Sequence, residues 1–245
     1  MISYILAGLL GTTIMILWGV YGDLLVEKFE VRKVIRSLLF GLFWSILVYT
    51  NDPLMPLFIV SLVVIGLERA STEIYKAFIR NEDQSKYAIP TNLNLNLNKL
   101  TGYFVGASLL LLHILLITVI DLPQGINNLV TPFFVGLAIA LGGMFKDAPY
   151  EGFDKVKFFR SPVVATIVGI AISVFYPAVP GKYFIFAIGG GERIISEFYK
   201  KIVKGRVPGK FKSKTFDHAW QGKRWKILIP YFVAIAGLIL LCFIK

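Results

Sequence analysis

A chain of 245 residues that is 56% hydrophobic and only 17% charged, with a mean hydropathy of +0.69, is too apolar for a water-soluble domain of ordinary composition. Its net charge of +11 falls in alternate loops between apolar runs, so membrane topology accounts for it and nucleic-acid binding is not implied. The single cysteine, Cys242, excludes an internal disulfide and a cysteine-based metal cluster.

The apolar runs, in chain order, are Ile2–Val20, Leu38–Tyr49, Leu57–Ile65, Tyr103–Ile120, Leu129–Met144, Pro162–Phe175, Tyr183–Ile188 and Ile227–Ile244. Several approach the roughly 20 residues that a membrane-crossing helix needs, and the pattern predicts an all-α polytopic membrane protein with about eight transmembrane helices. Three runs are shorter than a span, so their helices must continue through charged residues. No basic residue precedes the first run and no small-residue cleavage site follows it, which predicts a retained helix.

Lys28, Arg32, Lys33 and Arg36 form the first basic segment, and Arg69, Lys76, Arg80, Lys86 and Lys99 the second. Lys146, Lys155, Lys157 and Arg160 form the third, and a long run from Arg193 to Lys226 the fourth. The opposite loops, around Asn51, Gly125 and Ala178, hold only Lys182, with Lys245 at the C-terminus. The positive-inside rule then predicts cytoplasmic basic loops and both termini on the non-cytoplasmic side.

A repeat with a constant offset of 124 residues organises the chain. Between Asp23 and Ser37 it reads DLLVEKFEVRKVIRS, and between Asp147 and Ser161 it reads DAPYEGFDKVKFFRS. Six of the fifteen positions are identical, where composition alone predicts roughly one. The same register pairs Pro53 with Pro177, Pro56 with Pro180, Gly66 with Gly190, Glu68 with Glu192, Arg69 with Arg193 and Glu73 with Glu197. Two tandem parallel four-helix units are expected, residues 1–122 and 125–245, related by a pseudo-twofold axis along the membrane normal.

The repeated residues include the charged ones, which points to a site as readily as to surface ion pairs. Asp23 and Glu27, and likewise Asp147 and Glu151, are four apart and share a helix face if the helix continues. Such pairs are candidate Mg²⁺ ligands, because magnesium takes one or two carboxylates and completes its shell with waters and phosphate oxygens. Lys33, Arg36, Lys157 and Arg160 are then candidate phosphate contacts. Phe29 and Phe153 read as interface anchors.

The second cluster falls about eleven residues into helices that begin after Pro56 and Pro180, roughly 16 Å deep at 1.5 Å per residue. Charges there are costly and face a bundle interior or a wet cavity, unless the helix is displaced and they snorkel to the interface. Glu68, Arg69, Glu192 and Arg193 are the candidate catalytic residues. They are expected near the pseudo-twofold axis, with a glutamate of one unit paired to an arginine of the other. Tyr75, Lys76, Tyr199 and Lys200 continue the same stripes as candidate substrate contacts. Gly189–Gly191 reads as a helix-packing element or as a close approach to substrate. His113 reads as a core histidine, His218, Asp217 and Trp220 as surface residues, and Asn81–Lys99 as an amphipathic connector. No nucleotide-binding loop, zinc motif or serine-nucleophile elbow is present.

Acidic motifs on the loops of two related four-helix bundles, each followed by a basic segment and a Tyr-Lys pair after the next helix pair, resemble UbiA-type intramembrane prenyltransferases. The residues that carry the resemblance are Lys146-Asp147, Glu151-Gly152 and Arg160 in the second unit, and Asp23, Glu27 and Arg36 in the first. Tyr75-Lys76 and Tyr199-Lys200 complete it. The resemblance is confined to these stretches. It implies an enzyme of lipid or isoprenoid phosphates or diphosphates at the cytoplasmic face, with Mg²⁺. A transporter or channel with a central path between the repeats, lined by Glu68, Arg69, Glu192 and Arg193, is the alternative.

Overall fold

The computed structural model describes residues 1–24, 29–80, 98–120, 130–204 and 222–244. All regular structure among them is helical: α1 (Ile2–Asp23), α2 (Val31–Asn51), α3 (Leu57–Ile74), α4 (Lys99–Thr118), α5 (Val130–Glu151), α6 (Lys155–Phe175), α7 (Gly181–Phe198) and α8 (Trp225–Leu240). Five stretches are long and apolar enough to cross a membrane: Ile2–Gly22, Lys99–Thr118, Val130–Tyr150, Lys155–Phe175 and Trp225–Phe243. That is what a multi-pass integral membrane protein requires. The other three helices, α2, α3 and α7, carry arginine or glutamate within their length, and they continue the three short apolar runs.

Helix boundaries are set alike at positions 124 apart. α2 and α6 begin and end in register, as do α3 and α7, whose N-caps are Pro56 and Pro180. Proline suits this boundary because its fixed φ and missing N–H cost nothing where the helix has no partner to offer. Both α3 and α7 end in a π-helical turn, Tyr75–Ile79 and Tyr199–Val203, closed by Arg80 N to Tyr75 O at 2.8 Å and Lys204 N to Tyr199 O at 2.9 Å.

α3 and α7 form the centre and pack on each other; Val60, Val63, Ile65 and Leu67 on α3 and Tyr183, Ala187 and Ile188 on α7 have no exposed surface. α1 and α2 pack on α3, α5 and α6 pack on α7, α8 lies along α1, and α4 rests chiefly on the π-turn after α3. Lipid gives helices no hydrophobic reason to associate, so close backbone approach through small residues must hold them. Gly66 sits against the carbonyl of Phe186, and Gly190 against the carbonyl of Leu62, a reciprocal contact in which the two glycines are 124 apart, as are Leu62 and Phe186. In the α1–α2 pair Gly8 accommodates Ser45; at the same positions of α5–α6 Pro132 is accommodated by Gly169. Outward-facing Phe104, Ile167, Val174 and Val233 are exposed, as a lipid-facing surface demands.

The glycines divide by what surrounds them, and this is testable. Gly66→Ala and Gly190→Ala each drive a Cβ onto backbone, and each is expected to cost about 1–3 kcal/mol of stability. Gly19→Ala, where a Cβ meets nothing within 4 Å, is expected to cost nothing. Melting of the three variants in detergent checks this, and equal losses for all three would contradict the contact.

Candidate functional site

The reciprocal crossing puts Glu68 and Glu192, each two residues beyond its glycine, inside the protein at 4% and 3% exposure. Buried carboxylates need partners. Glu192 Oε1 accepts from Ser161 Oγ of α6 at 2.7 Å and from Ser196 Oγ, one turn on, at 2.6 Å. Glu68 Oε1 accepts from Thr72 Oγ1 at 2.8 Å and lies in the field of Arg36 on α2. The glutamates are therefore satisfied within their own halves. The cross-unit pairing of Glu68 with Arg193 expected from the sequence is not among the ion pairs of the described residues. Instead, Arg69 and Arg193 turn one turn along their own helices, to Glu73 at 2.5 Å and Glu197 at 2.7 Å. Across the two halves the influence that reaches Arg193 is that of Arg69 and Glu73.

The outer part of the cluster is repeated as well. Lys76 reaches Glu73 at 3.5 Å, and Lys200 reaches Glu197 at 3.3 Å. Arg36 stacks over the Tyr75 ring at 5.0 Å, and Arg160 over Tyr199 at 6.0 Å. Lys33 pairs with Glu30 at 3.3 Å, and Asp154 caps α6 by accepting from Lys157 N at 3.0 Å.

Of the four candidate Mg²⁺ ligands, only Asp147 has a described side chain. Glu27 lies outside the described residues, as do the side chains of Asp23 and Glu151. Asp147 Oδ2 accepts from Lys157 Nζ at 2.8 Å, so a divalent cation there has an ammonium to displace. No group of three acidic, histidine or cysteine side chains suited to a metal occurs among the described residues. Asp147 is thus the one described carboxylate of the four, and it is held by a lysine. Asp217, His218 and Trp220, residues 81–97 and the junction between the two units also lie outside the described residues.

A half-open cavity of about 1140 Å³ lies against the second half, between α5, α6 and α7 and the facing α3 and α4, slightly larger than the roughly 300–1,000 Å³ of common small-molecule sites. Its apolar wall is built by Phe134, Ala138 and Ile139 of α5, Ile185 and Phe186 of α7, and Ala70 of α3. At the other end stand Arg69, Lys157, Arg160, Glu192, Arg193 and Lys200. His113 lines it too, and its Nδ1 donates to the Leu109 carbonyl at 2.7 Å. A smaller pocket of about 250 Å³ adjoins, and Lys157, Arg160 and Lys200 belong to both. Lys204 and Tyr199 complete its wall, with Asp154 the acid there. The Nε of Arg160 is buried with no hydrogen-bond partner.

The sequence signalled the charged residues. It did not signal Ser161 as the tie between α6 and Glu192, nor Thr131, whose hydroxyl is buried in the cavity wall without a partner. The three successive glycines do three things: Gly190 meets α3, Gly191 meets the Val168 side chain of α6, and Gly189 faces the cavity with nothing within 4 Å. Comparison with known proteins adds no relative: no family model matches the chain, nor does a curated protein or a solved structure.

Ser161→Ala removes a hydrogen bond to a buried carboxylate and one tie between α6 and α7. It is expected to lower stability by about 1.5–3 kcal/mol, against little or no loss for Thr166→Ala, whose hydroxyl only bonds back to the Pro162 carbonyl. Paired melting curves decide it; a loss no greater than that of Thr166→Ala would remove the tie.

Proposed function

We propose that this is a membrane-embedded enzyme acting on a lipid or isoprenoid phosphate or diphosphate at the cytoplasmic face, in the cavity of the second half. In this reading the chain crosses the bilayer eight times as two parallel four-helix units. The basic ends face the cytoplasm, and the pseudo-twofold axis passes between α3 and α7. The shared register of helix boundaries and the reciprocal glycine contact support that arrangement.

One observation carries the reading: a long apolar cavity and a small cationic pocket meet at Arg160, Lys157 and Lys200. The cavity follows α5 from Val130 to Asp147, about 25 Å of helix rise, which suits an aliphatic chain. The pocket is lined by Lys157, Arg160, Lys200 and Lys204 with Asp154; Lys157 and Lys200 are held by Asp147 and Glu197, and Arg160 and Lys204 are the cations assigned to a phosphate. Arg160 is the guanidinium common to both spaces, stacked over Tyr199, and a guanidinium binds phosphate through two parallel N–H donors.

The chemistry assigned to these residues is electrostatic. As the carbon–oxygen bond to a phosphate breaks, the oxygen keeps the electron pair, and Arg160 and Lys200 stabilise the charge in a site poor in water. Glu192 is the candidate base for the group that replaces it. The carboxylates of Glu73, Asp147 and Glu197 are held by arginine or lysine, whereas Glu192 is tied through Oε1 to two hydroxyls. A central transport path is the alternative, and the axis itself weighs against it: at Gly66 and Gly190 the two backbones touch, and the open volume lies to one side.

The experiment is retention of farnesyl phosphate by the protein in phosphatidylcholine nanodiscs, read by native mass spectrometry with farnesol as the uncharged control. Farnesyl phosphate should be retained in preference to farnesol, and Arg160→Gln should weaken retention about tenfold, the effect of losing one charged phosphate contact of about 1.4 kcal/mol. Lys182→Gln, at the opposite end of α7, should change nothing. Glu192→Gln should keep retention and lose turnover. Equal retention of the alcohol and the phosphate would overturn the reading.

A further inference from the structure

The charged motifs are duplicated, but among the described residues the place that is open beside one copy is filled beside the other. The cavity is walled by Ala138 and Gly142 of α5, Ala70 and Ala77 at the end of α3, and Gly189 of α7. The residues 124 positions away are, respectively, Ile14, Trp18, Ile194, Lys201 and Ile65. At all five positions a small residue in the cavity wall answers to a large one.

The large residues fill the corresponding place in the first half. Ile14, Trp18, Tyr21 and Tyr231 are buried together, with Ile194 and Phe198 packed against them. Trp18 stacks against Tyr231 of α8 at 4.2 Å between centroids. Lys201 Nζ donates to the Trp18 carbonyl, stands 5.6 Å from the Trp18 ring and pairs with Glu197 at 3.3 Å. Ile65 packs against Gly11, whereas its counterpart Gly189 faces open space. α8 is thereby fastened along α1; α4, in the corresponding position, packs on the π-turn and on α2, α3 and α7, and α5 is not among its principal neighbours.

Glycine in the lining needs a reason, because in this molecule helical glycines mostly admit a neighbour. Gly8, Gly11, Gly41, Gly66, Gly136 and Gly169 each meet another group within 3 Å of where a Cβ would be. Among the described residues four glycines within the α-helices, Gly19, Gly142, Gly143 and Gly189, meet nothing within 4 Å, and the last three line the cavity. They leave room without using it for packing.

We infer that the duplicated motifs serve one ligand site, in the second half, and that the chain's own Trp18 and Lys201 fill its first-half counterpart, standing where chain and headgroup lie in the other. This rests on the reading of the cavity as a site for a phosphate-bearing amphiphile. The ring and methylenes of Trp18 and Lys201 supply apolar bulk, and the Lys201 ammonium supplies the polar end beside Glu197, as an internal substitute for an amphiphile.

The test transfers the filling from one half to the other. Gly142→Trp and Gly189→Ile install the counterpart residues where their side chains enter open volume, so both variants should fold and melt like the parent. The parent should retain one farnesyl phosphate per chain in phosphatidylcholine nanodiscs, and each variant at least tenfold less. Trp18→Gly with Lys201→Ala should reopen the first half and raise the ratio towards two. Undiminished retention by Gly142→Trp and Gly189→Ile, or two equivalents in the parent, would overturn the single-site inference while leaving the amphiphile reading standing. No retention by the parent at all would instead remove that reading, and the inference with it.

Discussion

Because Gly66 and Gly190 lack a Cβ, α3 and α7 can bring backbone against backbone, each glycine under a carbonyl of the other helix. Lipid supplies no hydrophobic force to press helices together, so this contact must be made by shape. It also determines where polar groups fall. Two residues beyond each glycine comes a glutamate, then an arginine, and these four side chains are brought to the centre by the crossing. Once there, they cannot remain bare, and the hydroxyls of Ser161, Ser196 and Thr72 and the carboxylates of Glu73 and Glu197 follow as their necessary partners.

The cavity beside this centre is electrically balanced. Arg69, Lys157, Arg160, Arg193 and Lys200 face Glu73, Asp147, Asp154, Glu192 and Glu197, five cations against five carboxylates. A space within a bilayer that held five unmatched cations would be costly, so balance is the condition under which it can exist. The small pocket at its margin shares Lys157, Arg160, Lys200 and Asp154 with that balance and adds one cation to it, Lys204. Attraction for an anion is thus concentrated where the apolar wall ends.

Much of this was legible in the sequence, because charge in an apolar chain is conspicuous and a constant register makes its recurrence countable. The three short apolar runs foretold helices that continue through glutamate and arginine, and α2, α3 and α7 do so. Glu68 and Glu192 were expected inside and are buried. The pairings were legible in part: Arg69 with Glu73 and Arg193 with Glu197 stand one turn apart and do pair. The lack of a local base for Glu68 and Glu192 suggested pairing between units, whereas hydroxyls one turn away and on α6 satisfy them instead. Identities between the halves drew attention to what is shared. The cavity was written in their differences, such as Trp18 against Gly142 and Ile65 against Gly189, where the volume of a side chain matters more than its chemistry. The acidic pairs at Asp23 and Glu27 and at Asp147 and Glu151 had the spacing for a cation, but spacing does not reveal that Lys157 lies 2.8 Å from Asp147.

Tyr75–Ile79 and Tyr199–Val203 are wound as π-helix, with the bond at each end spanning five residues instead of four. Such a turn accommodates one residue more than an α-helical turn would. Winding the same residues as ordinary α-helix would carry the chain at the end of the turn about 100° further round the helix axis. Lys204 would then leave the wall it shares with Arg160 and Tyr199, although no residue in that wall had been replaced. In these two turns the winding is therefore as constrained as the identity of the residues, and a change from π to α there is a rotation of the polar end.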